Sequence, residues 1–420
     1  MKIIRPLNSI EQALTFSNEI QPLSTVIVLH LSPFPTLPTL TNAVKTLQEK
    51  HILLRCFIGR SGKKLHFIES YPAPIVPIEF HARGDDFTWK SLTERKLNTK
   101  YPQEKALLQI DYCVDTDSMH GELLLTYHHA LMDSESARLV LHELLTLLNG
   151  DTLNPELNNI AETPASISLR PDPFLKTLLP YLRSQLWEEI SYQKNGFSTT
   201  TPLSSTNKIL TLRFDQKFTD QLQQRCNQLR LNLNNVILAS MTKALLKHKY
   251  SMKKEGLIRV INFASVRSSL SSDVDLVALG CYISMLRIGI PIQITEDVSI
   301  IARRIRKALR EARRKDQIRL MAWMSTYLVP VMLKHTDMRL GQTALSFMGN
   351  LPLQPAYGKI ELKDVNAFIT NNRSGPEFSA FGKVLHGRLG LDFNYLADET
   401  SDEQAHYIVA STESFLRDLV

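Results

Sequence analysis

The chain has 420 residues, of which 43% are hydrophobic and 22% charged, a composition typical of a globular protein with too much apolar sequence to be disordered. This length exceeds what one hydrophobic core usually supports, so we expect two lobes. The net charge of +7 comes with no helix-turn-helix, zinc or RNA-binding signature, which argues against a nucleic-acid-binding protein.

The first half of the sequence predicts mixed α/β structure. Apolar and alternating runs predict strands at residues 25–31, 53–58, 64–68, 107–114 and 122–128. Helical periodicity predicts helices at residues 10–19, 37–50, 88–97 and 135–148. Ser9 and Gln12 have the spacing of a capping box at the start of the first helix.

The middle of the chain predicts the connection between two lobes. Residues 149–173 are rich in Pro, Asn and Thr, a helix follows at about 174–193, and residues 195–207 form a polar loop. We therefore expect an N-terminal lobe at residues 1–172, a connecting helix and loop at 173–207, and a C-terminal lobe at 208–420.

The second half repeats the α/β rhythm without visible sequence repetition. Strands are predicted at residues 208–214, 257–263, 276–290, 343–348, 361–370, 378–385 and 388–395. Helices are predicted at residues 217–229, 235–249 and 401–419.

A further helix near residues 301–314 is amphipathic and strongly basic. Nine basic and two acidic residues lie between Arg303 and Arg319, so the rest of the chain is balanced at 40 basic and 40 acidic residues. One face is apolar, with Ile301 and Ile305 among its residues. The opposite face carries six cations: Arg303, Arg306, Lys307, Arg310, Arg313 and Arg314.

Residues 123–134, with the sequence LLLTYHHALMDS, carry the most informative pattern. An apolar run ends in His128 and His129, and Asp133 follows four residues after the second histidine. Side chains alternate across a strand, so one histidine can face a cleft while the other is buried as support. Both could also be hydrogen-bonded core residues.

Metal binding is a second interpretation, because His128, His129 and Asp133 are all competent ligands. Adjacent strand residues diverge, however, and no Cys or His cluster elsewhere completes a ligand set, so we expect no metal site. The four cysteines lack C-x-x-C spacing and predict reduced, buried thiols. They are Cys56, Cys113, Cys226 and Cys281.

The HHxxxD spacing at a strand end resembles the signature of the condensation-domain and chloramphenicol-acetyltransferase-like acyltransferases. The helix before His51 and the sequence HILLRCFI from His51 to Ile58 also resemble that superfamily's helix and H-P-x-L-R-x-x-F, with Ile52 in place of the proline. The start of the chain, from Pro6 to Gln12, is similar to its first helix. In the layout of its predicted elements, the whole chain resembles this superfamily. Recognisable motifs occur only in the first third of the chain. It is strongest to the polyketide-associated and alcohol O-acyltransferase branches.

This resemblance implies an α/β (α+β) fold of two chloramphenicol-acetyltransferase-like lobes, each a mixed sheet with helices. The lobes would form a V-shaped pseudo-dimer with a tunnel between them. It implies an enzyme that moves an acyl group from a CoA or carrier-protein thioester to an alcohol, with no bound cofactor. His129 would be the general base, since a neutral imidazole can accept and return a proton near pH 7.

The remaining site residues follow from the same resemblance. Asp133 would point away from His129 and pair with Arg267 of the second lobe, while His128 would hold the strand end. Ser134 replaces the usual glycine after the aspartate, where it could cap the next helix and affect acceptor binding. Ser346 and Asn350 occupy the region of a small polar turn near the tunnel, and are further candidates for substrate binding.

Two alternatives remain open: a stand-alone condensation enzyme that forms an amide, and a non-catalytic binding protein of the same fold. The basic face of residues 303–314 is either an ordinary solvated surface or a docking site for an acyl carrier protein, the phosphates of coenzyme A or an anionic membrane. We expect a monomer that binds a thioester donor and a small-molecule or lipid alcohol, but no nucleic acid. No apolar run approaches the ~20 residues that span a bilayer, and residues 1–6 lack a signal-peptide apolar segment, so we expect a cytoplasmic location.

Overall fold

The protein is described from a computed structural model. The described residues are 1–62, 64–85, 87–114, 120–153, 170–197, 206–250, 253–267, 278–334, 339–372 and 374–420. Most of the first predicted linker and the middle of the 195–207 loop lie outside these residues.

The described residues contain both strands and helices in each half of the chain. The first half contains β1 (Lys2–Pro6), α1 (Ser9–Ile20), β2 (Ser24–Ser32), α2 (Leu37–Lys50), β3 (Cys56–Ser61), β4 (Lys64–Glu69), β5 (Ile78–Ala82), α3 (Thr88–Leu97), β6 (Leu108–Val114), β7 (Gly121–His128), α4 (Ser134–Leu148) and α5 (Phe174–Asn195). The second half contains β8 (Asn207–Arg213), α6 (Gln216–Gln228), α7 (Leu233–Lys249), β9 (Glu255–Ser265), β10 (Ile283–Gln293), α8 (Val298–Arg314), α9 (Gln317–Lys334), β11 (Thr343–Asn350), β12 (Ala356–Tyr357), β13 (Ile360–Ile369), β14 (Phe378–Leu385), β15 (Arg388–Leu396) and α10 (Asp402–Arg417).

These elements form two units, which do not follow a single cut of the chain. Unit 1 comprises Met1–Ser168, Arg267–Ile283 and Leu351–Thr370. Unit 2 comprises Leu169–Val266, Ser284–Asn350 and Asn371–Val420. Two segments of the predicted C-terminal lobe therefore group with the N-terminal half of the chain.

Unit 1 is built around a six-stranded mixed sheet with the order β12-β13-β2-β7-β6-β5. β5 and β6 are parallel, and the other pairs are antiparallel. Every residue of β7 is buried, because the strand lies between β2 and β6 and its apolar run packs on both faces. A separate three-stranded sheet has the order β1-β4-β3.

Unit 2 contains a second six-stranded mixed sheet with the order β10-β9-β11-β14-β15-β8. β11 runs parallel to β9 and β14, whereas β15 is antiparallel to its neighbours β14 and β8. Helix α7 lies in the hydrophobic core of this unit, with Val236, Leu238 and Leu245 fully buried. The mixed sheets with helices in both units confirm the predicted α/β class.

Several local predictions were wrong. Residues 53–58 begin with a 3-10 turn, so β3 starts only at Cys56. Strand β10 begins at Ile283, several residues after the predicted start. The capping box of α1 lies one residue earlier than expected: the Asn8 side chain accepts the N–H of Glu11, and the Glu11 carboxylate accepts the N–H of Asn8. β1, β5, β12 and α9 were not predicted.

All four cysteines lie within the described residues, buried and unpaired, as predicted. Burial raises the pKa of Cys56 to about 12 and that of Cys113 and Cys226 to about 11, so these thiols stay protonated and unreactive near neutral pH. Among the described residues, no helix is both long enough and apolar enough to cross a membrane.

Candidate active site

The candidate site lies at the end of β7, in the middle of the sheet of unit 1. His128 is the last residue of the strand and pairs with Ser24 of β2. Its backbone N–H donates to the Leu107 carbonyl. A turn at His129 follows, closed by the Leu131 N–H donating to the His128 carbonyl at 2.8 Å. The sheet therefore fixes where both histidines leave the backbone.

His128 is a fully buried, neutral imidazole. Its Nδ1 accepts a hydrogen bond from the backbone N–H of Ala130 at 3.2 Å, so the ring proton is on Nε2. The ring of Tyr101 packs edge-on at 6.0 Å between centroids. Burial, with a smaller effect from His129, lowers the pKa of His128 to about 3. This side chain supports the turn and stays uncharged at neutral pH.

His129 differs from its neighbour in keeping 9% of its surface exposed. Nδ1 lies 3.3 Å from the Met132 carbonyl oxygen, which can only accept, so Nδ1 carries the proton. Nε2 makes no hydrogen bond to another described residue and keeps its lone pair. Burial lowers the pKa of His129 below its usual value, despite opposing effects of the Met132 carbonyl and Asp133. The imidazole is therefore neutral near pH 7, with a basic nitrogen available.

Asp133 and Arg267 form a buried ion pair. Nη2 of Arg267 lies 2.9 Å from Oδ1 of Asp133, and Nε lies 3.2 Å from Oδ2. Both side chains are almost completely buried. Burial alone would lower the pKa of Arg267, but the Asp133 carboxylate raises it on balance. Arg267 groups with unit 1, so this contact lies within one unit.

The backbone of residues 278–282 also contacts this ion pair. The Asp133 N–H donates to the Gly280 carbonyl at 3.1 Å, and the Tyr282 N–H donates to Oδ2 of Asp133 at 3.0 Å. Gly280 has φ +152°, and a Cβ there would lie 2.7 Å from the Tyr282 ring. Glycine is therefore required at this position, which brings two backbone groups onto the aspartate.

Helix α1 is tied to the same segment through Glu11. The Glu11 carboxylate accepts two hydrogen bonds from Arg5, at 2.6 and 2.8 Å. It also accepts the backbone N–H of Cys281 at 3.2 Å, and the Asn8 side chain donates to the Cys281 carbonyl at 3.1 Å. The N-terminal helix therefore stabilises the segment that stabilises Asp133.

The structure thus brings together His128, His129, Asp133 and Arg267, but it places Ser134 differently from the expectation. The cap of α4 is Asp133, whose Oδ1 accepts the Ser136 N–H at 2.9 Å, and Ser134 is the first helical residue. The same carboxylate oxygen of Asp133 that binds Arg267 therefore also caps the helix. Ser134 is half-buried, and its role in substrate binding stays a prediction.

Sequence analysis missed Ser136, whose hydroxyl donates to the Gly280 carbonyl at 3.1 Å and lies 2.6 Å from Nη2 of Arg267. The position of Ser136 three residues after a capping aspartate was an available signal. Glu11 was also missed, although its place three residues after Asn8 fits a capping box. No sequence pattern indicated Gly280 or Tyr282.

The other candidate residues lie in unit 2, whereas His129 lies in unit 1. Ser346 is half-buried and Asn350 exposed on β11, and their roles as pocket residues stay predictions. Five of the six predicted cations of α8 are exposed, and the sixth is half-buried. The exposed residues are Arg303, Lys307, Arg310, Arg313 and Arg314, and the half-buried one is Arg306.

Within the described part of the chain, a group of possible metal ligands occurs away from the motif, at Glu79, His81 and Asp111. The Lys96 ammonium already lies 3.0 Å from Oδ1 of Asp111 and 3.6 Å from Glu79. His81 Nε2 lies 2.8 Å from the same Asp111 oxygen. Lys96 therefore already supplies a cation to the carboxylates of Glu79 and Asp111.

No protein-family model matches the chain, and no curated protein matches it by sequence. Solved structures do match. A trichothecene 15-O-acetyltransferase from Fusarium sporotrichioides is 11% identical with a TM-score of 0.77, and the match covers 99% of this chain and 95% of that one. Polyketide synthase associated protein 5 from Mycobacterium tuberculosis is 14% identical with a TM-score of 0.71, with 100% of both chains covered. This chain has the two-lobed condensation-domain fold.

A third match is the epimerization domain of tyrocidine synthetase B, 10% identical with a TM-score of 0.65, covering 100% of this chain and 97% of that one. The expected resemblance to the condensation-domain and chloramphenicol-acetyltransferase-like superfamily is therefore confirmed at the level of the fold. Two of the matched proteins are named for different reactions, an O-acetyl transfer and an epimerization, so the fold does not fix the reaction. The predicted arrangement of the lobes stays a prediction.

Proposed function

We propose that the protein is an acyltransferase that moves an acyl group from a thioester to an alcohol, with His129 as general base. The observation that carries this proposal is the neutral His129 imidazole, whose Nδ1 proton is held by the Met132 carbonyl and whose Nε2 lone pair has no partner among the described residues. A binding protein has no evident need for such a nitrogen. The O-acetyltransferase among the structural matches supports ester formation.

The proposed reaction needs one proton acceptor that also returns the proton. Nε2 of His129 removes the proton from the acceptor hydroxyl as its oxygen attacks the thioester carbonyl. The tetrahedral intermediate then collapses, the C–S bond breaks, and the imidazolium gives its proton to the departing thiolate. The products are an ester and a thiol, and no covalent enzyme intermediate forms.

The surrounding residues position this base rather than react. Asp133 binds Arg267 and the backbone of Tyr282, so its carboxylate is committed to holding the turn that follows His129. His128 cannot serve as an alternative base, because its Nδ1 accepts the Ala130 N–H and the ring is fully buried.

The donor in this proposal is acyl-CoA or an acyl group on the phosphopantetheine of a carrier protein, used as a substrate. The exposed cations of α8 would attract the phosphates or acidic surface of such a donor. The match to a polyketide synthase associated protein is consistent with a carrier-bound donor.

Thiol release tests this proposal directly. Wild-type protein is incubated with acyl-CoA donors and a panel of alcohols and amines, with His129→Ala as the blank, and the products are identified by mass. We expect alcohol-dependent thiol release and an ester product. Amide formation with amines alone would overturn ester formation, and release equal to the blank for every acceptor would overturn the acyltransferase proposal.

Charge reversal on α8 tests donor docking. Replacing Arg306, Arg310 and Arg313 with glutamate should raise KM for a carrier-bound donor by roughly tenfold or more at low salt and leave kcat unchanged, since in this proposal the helix steers binding and supplies no reacting group. An equal number of glutamate substitutions at the exposed Lys2, Lys64 and Lys363 is the matched control. Unchanged kinetics in the α8 variant would show an ordinary solvated face.

A further inference from the structure

Helix α5 turns a polar face toward the sheet of unit 2. Oε1 of Glu188 accepts from Nε of Arg259 at 3.1 Å, and Oε2 accepts the backbone N–H of Gly289 at 3.1 Å. A Cβ at Gly289 would lie 2.9 Å from the Glu188 side chain, so glycine allows this close approach. Arg259 also stacks its guanidinium over the Tyr192 ring at 3.8 Å. Ion pairs and hydrogen bonds therefore attach the C-terminal half of α5.

The outward face of the same helix is apolar. Its residues follow helical spacing and are all exposed; we call Leu175, Leu179, Leu182, Leu186 and Ile190 the α5 stripe. Leu179 and Leu186 expose 61% and 62% of their surface, and the neighbouring Trp187 exposes 62%. A contiguous row of this kind is unusual on a water-exposed helix and marks an interaction surface.

Cations border the α5 stripe on one side. At 3.6 residues per turn, the five stripe residues fall within an arc of roughly 80°. Lys176, Arg183 and Lys194 fall within about 20° of one another at one edge of that arc, beside Trp187. All three are exposed. The acids of α5 are Glu188 and Glu189, and both are paired with Arg259.

Helix α9 extends the apolar surface. Phe174 of α5 packs edge-on against Trp323, with 4.8 Å between ring centroids, and Trp323 contacts Tyr327 at 5.3 Å. Tyr327 and Val331 expose 63% and 51% of their surface, and Lys334 is also exposed. The sequence of α9 contains no acidic residue.

We propose that the α5 stripe, with Trp187 and the exposed end of α9, binds an anionic lipid surface. Leucine, isoleucine, tryptophan and tyrosine beside lysine and arginine are the side chains that enter the boundary between acyl chains and headgroups. A second copy of this chain is the other occupant to consider. In a two-fold dimer the cations of α5 would face their own copies, and both acids of α5 are already paired with Arg259, so charge favours an anionic partner.

Vesicle co-sedimentation tests this proposal without relying on acyl transfer. Full-length protein is mixed with phosphatidylcholine vesicles that either contain or lack phosphatidylglycerol. We expect binding to the anionic vesicles, with a blue shift of the fluorescence of Trp187 that is lost in Trp187→Phe. The double variant Leu179→Gln, Leu186→Gln should bind the anionic vesicles at least about tenfold more weakly than wild type, since it loses apolar contact at two exposed positions.

The matched control replaces two exposed apolar residues of unit 1, Leu37→Gln and Ile75→Gln, and should bind like wild type. Absence of binding by wild type, or equal binding by wild type and the α5 variant, would overturn the proposal. Equal binding to both kinds of vesicle would overturn the claim that the bound lipid surface is anionic. A wild-type dimer that the α5 variant converts to a monomer, without vesicle binding, would assign the stripe to a second copy.

Discussion

The turn after β7 in unit 1 and helix α5 in unit 2 both bury charged side chains, but they leave different groups exposed. In unit 1 the Asp133–Arg267 pair is buried beneath a turn that presents one imidazole nitrogen. In unit 2 the Glu188–Arg259 pair attaches a helix that presents a row of leucines. A buried ion pair whose hydrogen bonds are all made fixes the position of the backbone that carries it. Other side chains on that backbone can then face outward and serve a function. The first arrangement suits chemistry, and the second suits binding to an apolar surface.

The largest stability effect is expected in unit 1. Asp133→Ala should lower the free energy of unfolding by about 3–5 kcal/mol, because it leaves Arg267 buried without its partner. Chemical denaturation followed by circular dichroism measures this change. Glu135→Ala is the matched control, since Glu135 is 3.6 Å from Arg267 and partly exposed, and should change little. An unfolding curve of Asp133→Ala that overlays wild type would show that the ion pair does not hold the turn.

A smaller effect is expected for the corresponding residue of α5. Glu188→Ala should lower the free energy of unfolding by about 1.5–3 kcal/mol, since charged hydrogen bonds to Arg259 and the Gly289 N–H are lost. Leu186→Ala on the outward face should cost less than about 0.5 kcal/mol. Denaturant titration of both variants compares the two faces directly. A larger loss for Leu186→Ala would mean that the stripe is packed within the protein.

His128 should make the folded protein less stable in acid. The folded pKa of His128 is lowered to about 3, below the value of 6.5 expected when unfolded. The unfolded chain therefore binds an extra proton, and stability is lost as pH falls from about 6.5 toward 3, by about 1.4 kcal/mol per pH unit. His128→Gln should be less stable at pH 7 but show a flatter pH dependence. Parallel slopes for the two proteins between pH 6.5 and 4.5 would contradict a buried neutral His128.

The parts of the site that are local in sequence could be predicted, whereas the parts that depend on distant backbone could not. The strand, the two histidines and the helix after Asp133 form one continuous segment, and Arg267 was found through the family resemblance. The contacts of Gly280 and Tyr282 with Asp133 join residues almost 150 positions apart through irregular backbone, which leaves no periodic signal.

Helix α5 shows a second limit of sequence reasoning. Periodicity correctly predicted the helix, and a leucine row normally predicts the buried face. In the structure this face is outward, because Glu188 and Tyr192 find partners on the sheet side. Helix α9 was missed because its apolar residues surround the helix, so no single face stands out, and because Pro330 is an unfavourable residue inside a helix.

The central claim is that His129 is the base, and the rate of His129→Ala tests it most directly. Single-turnover thiol release from an acyl donor with a saturating alcohol should fall by roughly 10² to 10⁴-fold relative to wild type, the usual contribution of a general base. The thermal melt of the variant should stay close to wild type, since among the described residues the ring hydrogen-bonds to one other residue, at the Met132 carbonyl. Equal rates from the two folded proteins would contradict the account.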